Sequence, residues 1–168
     1  MDILGSIDNA SLKSSEGKKT VCHIIVTSEK LIVVRVLDRH KEIIEHPAEG
    51  SNFGGGARGS YLAAQMLQKQ MIDDAYKRGK EIENNLDDYM KSNPEGLEMI
   101  PYDEITKAVL SKGTLFSLPG LKVFTNNSEF DFRLIHNNFE KSGKLDPETF
   151  NSYSDPLRKA LGEKLEIK

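Results

Sequence analysis

One cysteine, no apolar run of membrane-spanning length and no dominant basic block set the first limits on this chain of 168 residues. A lone Cys22 excludes an internal disulfide framework. Without a spanning run, and without a charged-then-apolar leader, the expected location is cytoplasmic with no transmembrane segment. A formal charge of −3 with no basic cluster argues against nucleic acid as a partner. The four histidines, His23, His40, His46 and His136, are scattered with no Cys or carboxylate at ligand spacing, so neither a metal site nor a cofactor is expected. The length suits one domain over 1–168 with an elaboration, and is short for two independent cores.

What the chain does have is concentrated in residues 20–37, where VCHIIV and LIVVRVL flank Thr27-Ser28-Glu29-Lys30. β-Branched residues on both sides of four polar ones predict an antiparallel hairpin at the centre of a sheet. Cys22, Ile24 and Val26 alternate with Val21, His23 and Ile25, and Ile32, Val34 and Val36 alternate with Leu31, Val33, Arg35 and Leu37. Both faces are apolar, so both need cover: curvature of the sheet on one side and a helix on the other.

Around this hairpin, residues 1–19 give only a weak pattern that fits one short strand, and 41–45 suggest another. The stretch from Pro47 to Gly56 is rich in breakers. A helix capped by Ser60 is predicted to run to Lys91, about 48 Å long, inside an insertion spanning 57–92. Strands follow over 105–110, 121–125 and 129–134. Asp146-Pro147-Glu148 opens a terminal helix in which Pro156 predicts a kink or break.

The hairpin with Thr27-Ser28-Glu29-Lys30-Leu31-Ile32, the later Ile100-Pro101-Tyr102-Asp103-Glu104-Ile105, the paired strands at 121–125 and 129–134 and the final helix resemble the pleckstrin-homology-like superfamily. They are most similar to its prokaryotic PH-like and GRAM-like members, over roughly 20–46 and 98–163. The resemblance implies an α+β fold: a bent antiparallel β-barrel of seven strands with a C-terminal helix, here with a long helix inserted between strands. It also implies a non-catalytic module that binds proteins or lipid head groups.

Several residues are candidates for that role. On the inserted helix Ile72, Ala75, Gly79, Ile82, Leu86 and Tyr89 recur at alternating spacings of three and four, a seam for a protein partner or a second copy of the chain, with Ala75 and Gly79 permitting close approach. The competing reading is that this seam covers the chain's own sheet. Lys18, Lys19, Arg35 and Arg39 are the candidate anion or lipid-head-group contacts of the alternative reading, a peripheral membrane binder, although no Arg-x-Arg pair is present. Gly54-Gly55-Gly56-Ala57-Arg58-Gly59 fits G-x-G-x-x-G and supports a third reading, a nucleotide-binding enzyme, but no strand precedes it and no Walker lysine follows. Residues 138–149 imitate a calcium loop with Thr149 where a bidentate carboxylate is required. No catalytic residue is expected: Cys22 has no activating base in view, and Asp73-Asp74 and Asp87-Asp88 diverge around their helix.

Overall fold

The computed structural model describes residues 1–13, 19–38, 56–134 and 144–168. Its strands are β1 (Ile3–Lys13), β2 (Lys19–Thr27), β3 (Lys30–Asp38), β4 (Leu97–Pro101), β5 (Ile105–Ser111), β6 (Gly120–Thr125), β7 (Glu129–Leu134) and β8 (Leu165–Ile167), and its helices α1 (Gly56–Asn84), α2 (Leu86–Ser92) and α3 (Pro147–Leu161). The strands form one sheet in the order β4-β3-β2-β1-β7-β6-β5-β8, so the chain is a mixed α+β protein.

The alternation in β2 and β3 sorts their side chains as expected. Cys22, Ile24, Val26, Leu31 and Val33 face a core completed by Ile7, Leu110, Leu121, Val123 and Phe132 from across the sheet and by Phe150, Tyr153, Leu157 and Leu161 of α3. The two halves of the sheet therefore curve round one interior with α3 against it. Val21, Ile25, Ile32, Val34 and Val36 face the other way, into a second cluster with Ala75, Ile82 and Leu86. Each such side chain removed from water contributes about 1.5–3 kcal/mol, which is why neither face of a hairpin this apolar stays wet.

Four expectations are corrected. Among the described residues the sheet is not closed into a barrel: β4 and β8 stand at its two edges, and the outer edge of β5 is taken by β8, a short strand running parallel to it. The opening segment is an eleven-residue strand, the longest in the sheet. Its pattern is weak because the pairing with β2 shifts between Ile7 and Ala10, where Asn9 adopts φ 53°, so two core residues stand three apart instead of two. The inserted helix starts at Gly56 and not Ser60, and it is interrupted at Asn85, whose side-chain amide donates to the Glu81 carbonyl while its backbone N–H donates to Ile82. Finally, α3 continues through Pro156, whose ring seats against Gly5 in β1; a Cβ on Gly5 would lie 2.7 Å from Pro156 Cγ. Asp146 caps this helix as its sequence suggests, accepting from the Thr149 N–H at 2.8 Å. The strand expected over 41–45 lies outside the described residues.

The two segments that carried the resemblance meet. Lys30 pairs with Pro101 and Leu31 with Ile100. The Tyr102 hydroxyl, half-buried, donates to the Thr27 carbonyl at 2.6 Å and lies 3.1 Å from that of Lys30, tying down the β2–β3 turn. Burial pushes this phenol up to about 12. Lys164 Nζ in turn donates to the Tyr102 carbonyl at 2.7 Å. Tyr102→Phe should cost about 1–3 kcal/mol, because it strips a donor from enclosed carbonyls while leaving the ring in place; urea unfolding read against wild type checks it.

Candidate interaction site

Ala75, Gly79, Ile82, Leu86 and Tyr89 of the seam face the chain's own sheet. Ile72 is buried as well, and Ala75, Ile82 and Leu86 form a cluster with Val21, Ile25, Ile32 and Val34 that is bordered by Tyr89, Met90 and Leu97. Ala75, Ile82 and Leu86 thus pack within the chain, as the reading of the seam as cover for its own sheet expects. Gly79 does permit a close approach, but of a histidine: a Cβ there would stand 2.7 Å from both Cγ and Nδ1 of His23.

That histidine is the centre of a polar cluster that links α1 to the sheet. His23 projects from β2 at 1 % exposure, with Nε2 2.7 Å from Glu83 Oε2 of α1 and Nδ1 3.2 Å from Asp8 Oδ1 of β1. The Asp8 contact is close but not aligned as a hydrogen bond, and both atoms lack an aligned partner. Lys80 Nζ lies 3.4 Å from Glu83 Oε2 and 3.7 Å from Asp8 Oδ1, and donates to the Ser6 hydroxyl at 2.9 Å. The β1 bulge that carries Asp8 and Asn9 brings this acid to the ring, and the missing side chain at Gly79 lets the ring reach the helix.

Electrostatics restrict the chemistry available here. Burial works to neutralise Lys80, yet Asp8 and Glu83 outweigh it and hold the ammonium above its usual value of 10.5. A lysine kept charged in this way cannot take a proton from the nearby Ser6 hydroxyl, so the pair is not a Ser–Lys nucleophile system. Burial likewise acts to raise Glu83, but the His23 hydrogen bond and the Lys80 charge prevail and bring its carboxyl below the usual 4.5. A carboxyl lowered on folding stabilises the native state above its ordinary range, and that contribution is lost as pH falls through the lowered value. Acid titration of stability should therefore show a loss beginning below about 4.5, and Glu83→Gln should flatten part of it; identical pH profiles for the two proteins would refute this.

Lys19 and Arg35 are exposed, on β2 and β3, while Lys18 and Arg39 lie outside the described residues, as do Gly54 and Gly55. Of the imitation calcium loop, 138–143 lies outside them too, and Asp146 and Thr149 are engaged with each other at the cap of α3. Cys22 is fully buried and burial pushes its thiol up to about 12, with Arg35 only partly offsetting this, so it is no nucleophile near neutrality. Among the described residues no group of three or more His, Cys, Asp and Glu side chains is placed to hold a metal ion, and no helix is long and apolar enough to cross a membrane.

Sequence reasoning missed the feature that is most exposed. Between β5 and β6, Leu115, Phe116 and Leu118 are 79 %, 99 % and 57 % open to solvent. The loop is nonetheless well tied. Thr114 Oγ1 accepts from the N–H groups of Phe116 and Ser117 at 3.1 and 3.0 Å, and Thr114 N–H donates to the Ser117 carbonyl at 2.8 Å. Gly113 supplies the positive φ of 82° that starts the turn. At its base Lys112 N–H donates to Lys168, the Lys112 carbonyl accepts from Leu145, and the Pro119 carbonyl accepts from Leu134. The signal available in sequence was Leu-Phe-Ser-Leu caught between Gly113 and Pro119-Gly120, an apolar group without the alternation that would bury one face. Compared with known proteins, the chain matches no family model and no curated protein.

Proposed function

We propose that the chain is a non-catalytic, PH-like interaction module that engages its partner through the loop at 112–119. The observation that carries this reading is Phe116, wholly exposed in a turn whose Phe116 and Ser117 N–H groups are bonded to Thr114. Large apolar side chains held out by a fixed loop are a binding device more often than an accident of folding. Support for the PH-like part comes from the curved sheet with its 1-to-4 meander beside β7-β6-β5, from α3 against the shared core, and from the contact of Tyr102 with the Thr27 turn. Support for the absence of catalysis comes from His23, sealed in, and from Lys80 and Cys22, each held in the form that cannot act as base or nucleophile near neutrality.

The reading is tested by thermal melting of the full chain with ATP, NAD and inorganic phosphate in turn. No change in Tm is expected. A saturable rise with any of the three would favour the nucleotide-enzyme reading and overturn this one.

A further inference from the structure

We infer that the inserted segment is an acid-released cover: proton uptake at the clamp of Asp8, His23, Lys80 and Glu83 lets α1 and α2 leave the sheet while the inner core stays folded. The inference concerns the outer face of β2 and β3 and does not depend on the loop at 112–119.

Two packing clusters meet at this sheet without sharing a residue. The inner one joins Cys22, Ile24, Val26, Leu31 and Val33 to α3 and to the strands β5, β6 and β7. The outer one joins Val21, Ile25, Ile32, Val34 and Val36 to three residues of the insertion, Ala75, Ile82 and Leu86. Departure of the insertion therefore takes no side chain out of the inner cluster. Parts of a fold divided in this way open at different free energies.

The groups that titrate in acid lie at the outer joint. Among the described residues, the ion pairs that reach from α1 to the sheet all belong to the clamp, with Asp8 from β1, His23 from β2, and Lys80 and Glu83 from the helix. Two phenols face the same place. The Tyr76 ring lies 5.8 Å from Lys80 Nζ, and the Tyr153 hydroxyl of α3 is hydrogen-bonded to the Asp8 backbone and pushed up by burial. Neither phenol changes charge in acid. Arg78, on the same helix, is turned to the Val36 carbonyl.

Once both carboxylates are neutral, Lys80 keeps its charge with a hydroxyl, that of Ser6, in place of two anions, and the buried ring of His23 loses both anionic neighbours. The joint then changes from a mutual attraction to an uncompensated cation in a partly dry place. The pH window follows from Glu83. Its carboxyl lies below 4.5 in the folded chain, so its contribution to docking is complete above that range and is lost as pH falls through the lowered value. Lys80, held above 10.5, keeps its part of the clamp across neutrality. The inner cluster has no counterpart, since among the described residues no Asp, Glu, Lys or Arg is buried. The acids Glu166 beside Lys107, Asp131 beside Lys122 and Asp146 at the cap of α3 stand at the surface, where water screens their pairing.

The test follows amide hydrogen exchange of the full chain by mass spectrometry from about pH 6 to about pH 3, corrected for the intrinsic effect of pH on exchange. Amides of 69–92 should lose at least about tenfold more protection than those of β6 and β7, with the change falling below 4.5. Cys22, a buried thiol of the inner cluster, is the second reporter. A dipyridyl disulfide, which reacts with thiols even in acid, should leave it unmodified over the range in which 69–92 opens. In a chain carrying Asp8→Asn and Glu83→Gln the clamp holds no carboxylate to titrate, so 69–92 should be weakly protected already at about pH 6 and change by less than about twofold on acidification. Loss of protection in helix and inner strands at one pH, or reaction of Cys22 in step with opening of 69–92, would overturn the inference. So would full protection of 69–92 at the acid end, or a double variant that keeps the wild-type pH profile. The two wild-type reporters decide by themselves should the double variant not fold.

Discussion

Gly79→Ala should destabilise the protein by about 2 kcal/mol, although alanine is the better helix former and would otherwise add about 1 kcal/mol inside α1. The added Cβ would meet His23 Cγ and Nδ1 at 2.7 Å and His23 Cβ at 2.9 Å. These atoms form the root of the side chain and not a flexible end, so the ring cannot swing clear without moving β2 or α1. Nor is the ring free to turn, with Glu83 at one nitrogen and Asp8 near the other. The strain is therefore expected to lift the helix from the sheet. Urea denaturation measures the loss, and a second background identifies its cause. In a His23→Ala protein two of the three closest atoms are gone, so Gly79→Ala should cost less there than in wild type. Strictly additive costs would show that the ring is not what forbids a side chain at 79.

The His23→Ala background will itself be weak, which is why the comparison is made within it. Removing the imidazole leaves Glu83 and Asp8 beside Lys80 alone, in a place where the ring had filled the space between helix and strand. Losing the 2.7 Å partner of Glu83 Oε2 and leaving the space of the ring unfilled costs about 2 kcal/mol or more. A lower starting stability does not blur the coupling, since the cycle compares differences.

Where the chain follows simple periodicity, its structure could be read in advance. The hairpin of β2 and β3 sorts both faces correctly because every residue from Val21 to Val26 obeys the two-residue repeat and the turn is made of polar residues. Strands β6 and β7 were legible for the same reason, whereas in β5 the pairing with β6 shifts between Ile105 and Lys107, so that Ile105 shares the core with Ala108 and Leu110. Legibility failed where a local irregularity breaks the repeat. The shift between Ile7 and Ala10 hid the longest strand. Pro101 at the end of β4 and the three-residue length of β8 concealed two edge strands. Pro156 looked like a break because sequence does not reveal that Gly5 opens a place for its ring.

The candidate site divides along the same line. The seam from Ile72 to Tyr89 was read correctly as a packed helical face, but a period of three and four is the same whether the surface opposite is a helix or a sheet. Only the apolar outer face of β2 and β3, which needed a cover, bore on that choice. The clamp of Asp8, His23, Lys80 and Glu83 joins residues up to 75 positions apart and left no spacing to recognise. The 115–118 loop is conspicuous only by its exposure, a quantity that the sequence does not carry.

Ile82→Asp combined with Leu86→Asp should peel the inserted helix from the sheet or unfold the chain, with no oligomer to dissociate through that seam. Both residues are 6 % exposed, and both pack with Ile25, Ile32 and Val34 in the outer cluster. A carboxylate placed there has no cation opposite it in that cluster, which is built of apolar side chains. Lost burial and the cost of a charge in apolar surroundings together put the double substitution at about 5 kcal/mol or more, comparable to the whole stability of many domains. A control keeps the outcome specific: Glu81→Lys with Asp88→Lys alters exposed residues of α1 and α2 and should change stability by no more than about 0.5 kcal/mol for each substitution. Far-ultraviolet circular dichroism would report loss of helix in the first variant only, and light scattering would report an unchanged mass for wild type and control. If the aspartate pair instead stayed folded with native helix content while a wild-type dimer fell to monomer, the seam would be a contact between chains, and its burial against β2 and β3 would not be what holds it.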